Sequence, residues 1–355
     1  MAIRLLSTTG IARIDATLLA FIELLDVSLP RHIRACYLGG SYSDGSAVGQ
    51  DRSPNSSDLD VYVIFRGTLS AEALATFQRV LGACRLHSPV VLDVQAYSED
   101  DLVRPPRPGS KQSSFVNALI RSAGDPLFGD DVRGELPAVP LARFMLDVLE
   151  SGVYHLGIPR QRSELSYPLP SPLEPPLTYP DFAGEFYGYD VVPARPAAPG
   201  GTRVLVDIGM WIGTVLLAAE TARYATTKSQ CAQGCREHLP HDERAQLVVA
   251  LYDTCKQKWA YAVPTQEQER ERLRRWCASL LELENAYLSL CRRHVLAQLQ
   301  TGGPFEQEQA AHILHSVIYR DAEVRAALAD LELSPSAPVR AAARQALTRT
   351  IAPHT

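Results

Sequence analysis

The spacing of hydrophobic and polar positions changes repeatedly over the first 135 residues, then settles into one long helical regime. An amphipathic helix is expected over about 14–25. An apolar stretch, 33–38, comes after it and is ended by Gly39-Gly40-Ser41. A polar segment rich in Gly, Ser, Asn and Pro runs on to Ser57. Leu59–Phe65 then reads as a strand closed by Arg66-Gly67. Over 71–84 the 3.6 period of a helix places Leu74, Phe77, Val80 and Leu81 on one face. Residues 90–97 read as another strand. Helix alternating with strand predicts an α/β (α+β) domain around a small mixed sheet.

A helix over 141–155 comes next. The prolines scattered through 159–199 exclude regular helix there. Within that stretch, 179–190 carries Tyr179, Phe182, Phe186, Tyr187 and Tyr189, more aromatic surface than a loose linker holds, so packing against a core is expected. Helical periods then cover 204–225, 242–261, 266–299, 306–318, 321–331 and 337–348, which reads as a bundle. The predicted division is an α/β domain over 1–135, a helix with a proline-rich linker over 136–200, and an all-helical domain over 201–355.

The length of 355 residues fits two domains, and 46% hydrophobic residues excludes disorder of the whole chain. A net charge of −5 offers no basic footprint for a long phosphate backbone, which argues against nucleic acid as the main partner. Apolar runs are cut by Glu23, Asp26 and Asp207 short of a membrane span, so no membrane partner is expected. Arg13, Asp15 and Glu23 break the centre that a signal peptide needs. Seven scattered cysteines do not form a disulfide framework, which predicts a reducing cytoplasm.

The chemistry concentrates between residues 38 and 60. Asp58 and Asp60 are two apart at the start of a strand, so their carboxylates share a face. Paired carboxylates repel unless a cation sits between them, and hard oxygen ligands suit Mg²⁺. Glycines ahead of Ser41 let backbone N–H groups approach an anion, and a helix starting there adds its positive end. Asp93 is read as central in the next strand, where an acid between Leu92 and Val94 calls for compensation, and where it can act as a general base.

This order of strand, Gly40-Ser41, spacer, Asp58-x-Asp60 and downstream Asp93 resembles the nucleotidyltransferase superfamily that includes DNA polymerase beta and the aminoglycoside adenylyltransferases. The resemblance implies Gly40 and Ser41 as phosphate-binding residues, Asp58 and Asp60 as catalytic metal ligands, and Asp93 as the third acid. The spacer exceeds the family's by an insertion around 48–55. More faintly, 216–239 resembles the start of the adenylyltransferase helical domain, implying that Lys228 and, less strongly, Arg223 reach the nucleotide phosphates.

The resemblance further implies an Mg²⁺-dependent enzyme using two ions. It would move a nucleoside monophosphate, AMP from ATP, or one from another nucleoside triphosphate, to a hydroxyl of a small aminoglycoside-like acceptor. Transfer to tRNA or another RNA, transfer to a protein, and a non-catalytic nucleotide-binding module are the alternatives. A homodimer shaping a shared site is also compatible with the family. Cys231-x3-Cys235-x2-His238-x2-His241 has the spacing of a zinc site, but Pro240 ends the helix before the fourth ligand.

Overall fold

The computed structural model describes residues 3–53, 55–103, 114–160, 169–171, 184–190, 200–319 and 321–351. Its contacts divide into two compact units. The first takes Met1–Pro106, Ser110–Val139 and Thr226–Gln230; the second is chiefly Pro140–Ala225 and Cys231–Thr355.

The first unit is a four-stranded mixed sheet in the order β3-β2-β1-β4, with β1 Ile33–Gly39, β2 Leu59–Phe65, β3 Leu92–Ser98 and β4 Asp125–Gly129. β2 runs antiparallel to β1 and parallel to β3, and β4 runs antiparallel to β1. Alternation along the strands builds two cores. Cys36, Leu38, Leu59, Val61, Val63, Phe65, Leu92 and Val94 pack against α1 (Ala12–Ser28) and the later helix Ala71–His87. On the other face Ala35, Tyr37, Tyr62 and Ile64 meet Leu119 and Ile120 of the helix Ser114–Ala123, with Val132 and Leu136. That helix and β4 have no counterpart in the sequence reading. The helix spans only ten residues, and β4 contains Pro126, tolerable because β4 lies at the sheet edge, where an absent N–H costs least.

Among the described residues, the second unit is mainly helical, with two three-residue parallel strands, β5 Leu169–Ser171 and β6 Val317–Tyr319, and an isolated bridge between Gly201 and Ala262. The helix Leu141–Arg160 opens it, and Arg203–Thr221 runs through its core. By length and composition the latter could cross a membrane, yet 72% of its apolar window is buried inside the protein. It stops at Thr221, earlier than the period to 225 implies, because Ala222 turns left-handed with φ 56°. The helix expected over 242–261 is a Glu243–Ala250 α-helix that widens into π-helical turns over Leu251–Lys258. Past it, Ala260 and Tyr261 take positive φ, and the Tyr261 carbonyl accepts the Thr202 N–H at 2.7 Å. The long helix Glu267–Thr301 is next, and Pro304–Ser316, Ala322–Leu331 and Ala337–Ile351 complete the unit.

The described part of the aromatic stretch packs as expected. Phe186 and Tyr189 are buried, the Tyr189 hydroxyl donates to Glu284 at 2.6 Å, and the Arg270 guanidinium lies 5.1 Å from the Phe186 ring. Residues 179–183 lie outside the described part. All seven cysteines are free and buried.

Tyr37 ties the end of this sheet to the chain beyond β4. Its buried hydroxyl accepts the Val132 N–H at 2.7 Å and donates to Asp131 at 3.1 Å. Tyr37→Phe keeps the ring but strands that N–H, so urea denaturation should show a loss of about 1–2 kcal/mol.

Candidate active site

Strand register assembles the site. Gly39 of β1 pairs with Asp60 of β2, and Asp60 pairs with Asp93 of β3, so the three residues form one row across the sheet. Leu59 and Val61, like Leu92 and Val94, point into the core under α1. Asp60 and Asp93 therefore point to the other face. Asp58 lies two residues before Asp60 and shares its direction. One carboxylate oxygen from each of Asp58, Asp60 and Asp93 lies within 4.8 Å of the other two, and all three residues are half-buried. No other group of three or more His, Cys, Asp or Glu among the described residues has this geometry. The Cys231–His241 set is thus not assembled as a metal site.

Asp93 departs from its expected place in one respect. It is the second residue of β3, at the rim, with 45% of its side chain exposed. The cost of an acid in mid-strand therefore does not arise. Its companion is Arg85, in the last turn of Ala71–His87. Arg85 Nη2 lies 4.0 Å from Asp93 Oδ1, and its Nε donates to the Leu92 carbonyl at 3.0 Å. At such exposure the pair contributes ~0–1 kcal/mol, so it steers the side chain more than it stabilises the fold. Sequence reasoning misses Arg85; its position seven residues before Leu92, at a helix end facing a strand start, is the available signal.

The two glycines have separate tasks. A Cβ on Gly39 would stand 2.6 Å from the Tyr62 ring, and one on Gly40 would stand 2.0 Å from Asp60 Oδ2. Gly40 also has φ +63°, a conformation that costs a side-chain-bearing residue about 1–2 kcal/mol. So the turn is glycine because the Asp60 carboxylate rests against it. Tyr62 forms the floor. Burial first, then Asp60, followed by Tyr97, Asp93 and Asp58, push its phenol well above the usual tyrosine range, so it stays a neutral donor. The helix that begins at Gly40 is a single turn, Gly40–Ser43, with Ser41 half-buried as its second residue. Its dipole is correspondingly short, and the expected positive end reduces to the N–H groups of that turn.

The described residues of the insertion around 48–55 form a loop closed at its base. Val48 N–H donates to the Ser57 hydroxyl at 3.0 Å, and Ser57 N–H to the Val48 carbonyl at 2.7 Å. Arg13 donates to the Gln50 carbonyl, and Arg52 to the Arg85 and Leu86 carbonyls at the end of Ala71–His87. The loop is thereby tied to the helices, and the carboxylate cluster is intact beside it.

Lys228 falls in the first unit, within Thr226–Gln230, where it opens the helix Lys228–His238. Gln230 N–H donates to the Thr227 hydroxyl at 3.2 Å, while the Gln230 side chain accepts from Thr226 N–H at 3.0 Å. Thr227 thus caps the helix start, which accounts for the hydroxyl residue before the lysine, and the Gln230 side chain reaches back one residue further, to Thr226. Arg223 is exposed in the second unit, just past Ala222, and is not part of the carboxylate cluster.

The donor set fits a hard divalent cation. Oxygens sharing one octahedral Mg²⁺ are about 3–4 Å apart, so the observed cluster needs only a small contraction to close on an ion.

No protein-family model matches the chain, and no curated protein matches it. Among solved structures, the chain is similar to the spectinomycin adenyltransferase AAD(9) from Enterococcus faecialis, crystallised with ATP and spectinomycin. The identity is 12% and the TM-score 0.42, over 76% of this chain and 98% of that one.

Gly40→Ala should push the Asp60 carboxylate out of the cluster. Calorimetric titration with Mn²⁺ is expected to show binding at least about tenfold weaker, with the circular dichroism spectrum of the folded protein retained.

Proposed function

We propose that the chain is a divalent-cation-dependent nucleotidyltransferase. It moves AMP from ATP to a hydroxyl of a small aminoglycoside-like molecule and releases pyrophosphate. The observation that carries this reading is the convergence of Asp58, Asp60 and Asp93 oxygens beside the Gly40 turn. The ordered motif from Gly40 to Asp93, with its strand, glycine turn and acids in sequence, supports it.

Asp58, Asp60 and Asp93 would hold two Mg²⁺ ions, which neutralise charge on the attacking and leaving oxygens when bound. In the transfer, the acceptor hydroxyl oxygen bonds to the α-phosphorus as the bond from that phosphorus to the bridging oxygen breaks, and pyrophosphate carries the charge away. Asp93 takes the hydroxyl proton as general base. Gly40 and Ser41 give the leaving phosphates close backbone approach, and Lys228 adds a point charge. Tyr62, kept protonated, cannot add a further negative charge below the carboxylates.

The test supplies α-labelled nucleoside triphosphates and Mg²⁺ with aminoglycosides, total RNA or protein offered as separate acceptors. Label is expected in the small-molecule pool. Asp58→Asn and Asp60→Asn should each lower its appearance by about 100-fold or more, since they remove charge while keeping shape. Unchanged turnover in both variants would refute the assignment, and label in RNA alone would move the acceptor to a polynucleotide.

A further inference from the structure

The segment carrying Lys228 is fastened to the glycine turn by a contact that none of the catalytic motifs contains. The Ser229 hydroxyl donates to Asp44 Oδ2. Asp44 is the residue that ends the Gly40–Ser43 turn, and its own N–H reaches back to the Gly40 carbonyl at 3.3 Å. Its other carboxylate oxygen accepts the Ser46 N–H at 3.0 Å. One residue before Asp44, the Ser43 hydroxyl lies 2.7 Å from Asp125 and 2.9 Å from the Ala123 carbonyl, so the turn is anchored on both sides. Thr226 adds a second tie, with its hydroxyl 3.2 Å from that of Ser122.

Lys228 sits against the dipole of its own helix. A cation at the first position of an eleven-residue helix meets the positive end of the dipole, where acidic residues are favoured. A residue that breaks a local rule at a well-capped helix start marks a functional position. Its ammonium is useful there only if the helix start is held in register with the turn that receives the phosphates.

We infer that Asp44 and Ser229 are positioning residues for triphosphate binding. Their hydrogen bond sets the first turn of Lys228–His238 against Gly40–Ser43, so that the Lys228 ammonium and the turn's N–H groups address the same phosphates. This deepens the proposed transfer reaction and rests on it. Asp44 and Ser229 touch no reacting atom; they act through Lys228.

That dependence makes the test. ATP binding in the presence of Mg²⁺ is measured by calorimetry for the full-length protein, for Asp44→Ala and Ser229→Ala, and for each combined with Lys228→Ala. Each single variant should weaken ATP binding about tenfold, the scale for losing a hydrogen bond to a charged group. Neither should weaken it further once Lys228 is alanine, because the coupling runs through that side chain. Ser229→Thr, which keeps the hydroxyl, should restore binding. Unchanged affinity in the single variants, or effects that persist fully in the Lys228→Ala background, would overturn the inference while leaving the transferase reading in place. A wild-type protein that binds no nucleoside triphosphate at all would overturn the reading itself, and this inference with it.

Discussion

Mutual repulsion of three carboxylates, imposed by strand register, is the constraint around which the first unit is arranged. Asp60 and Asp93 cannot separate without breaking the β2–β3 pairing, in which seven consecutive residues are matched from Leu59 with Leu92 to Phe65 with Ser98. With oxygens 4.8 Å apart or closer, each like-charged pair costs at least about 1 kcal/mol in a water-like medium and about 3.5 kcal/mol at an effective dielectric of about 20. A sheet that only needed to fold would place Thr or Val there. Instead β2 and β3 keep apolar partners on the α1 side and present acids on the other, so the penalty falls on one end of one face. The surroundings are consistent with this: Gly40 gives up its side chain to Asp60, and Tyr62 offers a neutral ring and hydroxyl below.

The same constraint separates what sequence can reveal from what it cannot. Asp58-x-Asp60 after Gly40-Ser41 is legible because its spacing is local: alternation along one strand puts both acids on one face. Asp93 is legible as an acid beside apolar residues, but its neighbours depend on the parallel register of β2 and β3, a long-range fact. Periodicity therefore finds the strand and misjudges the position, placing in the centre a residue that stands at the rim. Ser229 is invisible for the same reason, and Arg85 is only faintly signalled, since what matters in each is a partner far along the chain or on another element.

Helical segments are legible where the apolar stripe is long, as in Ala71–His87 and Glu267–Thr301. Boundaries fail where tertiary contacts override period. The Tyr261 carbonyl is taken by Thr202 N–H, and the helix before it unwinds through π-turns instead of ending cleanly. β4 is hidden by Pro126, which weakens any strand pattern and is harmless only because of where the strand lies. In each case the missing information is the neighbour, not the residue.

The account stands most directly on where a divalent cation binds. Crystals grown with Mn²⁺ and measured at the manganese absorption edge would locate it from anomalous scattering. Density is expected with oxygens of Asp58, Asp60 and Asp93 about 2.1–2.2 Å from the metal. Manganese held elsewhere, or no peak among the three carboxylates at saturating metal, would contradict it.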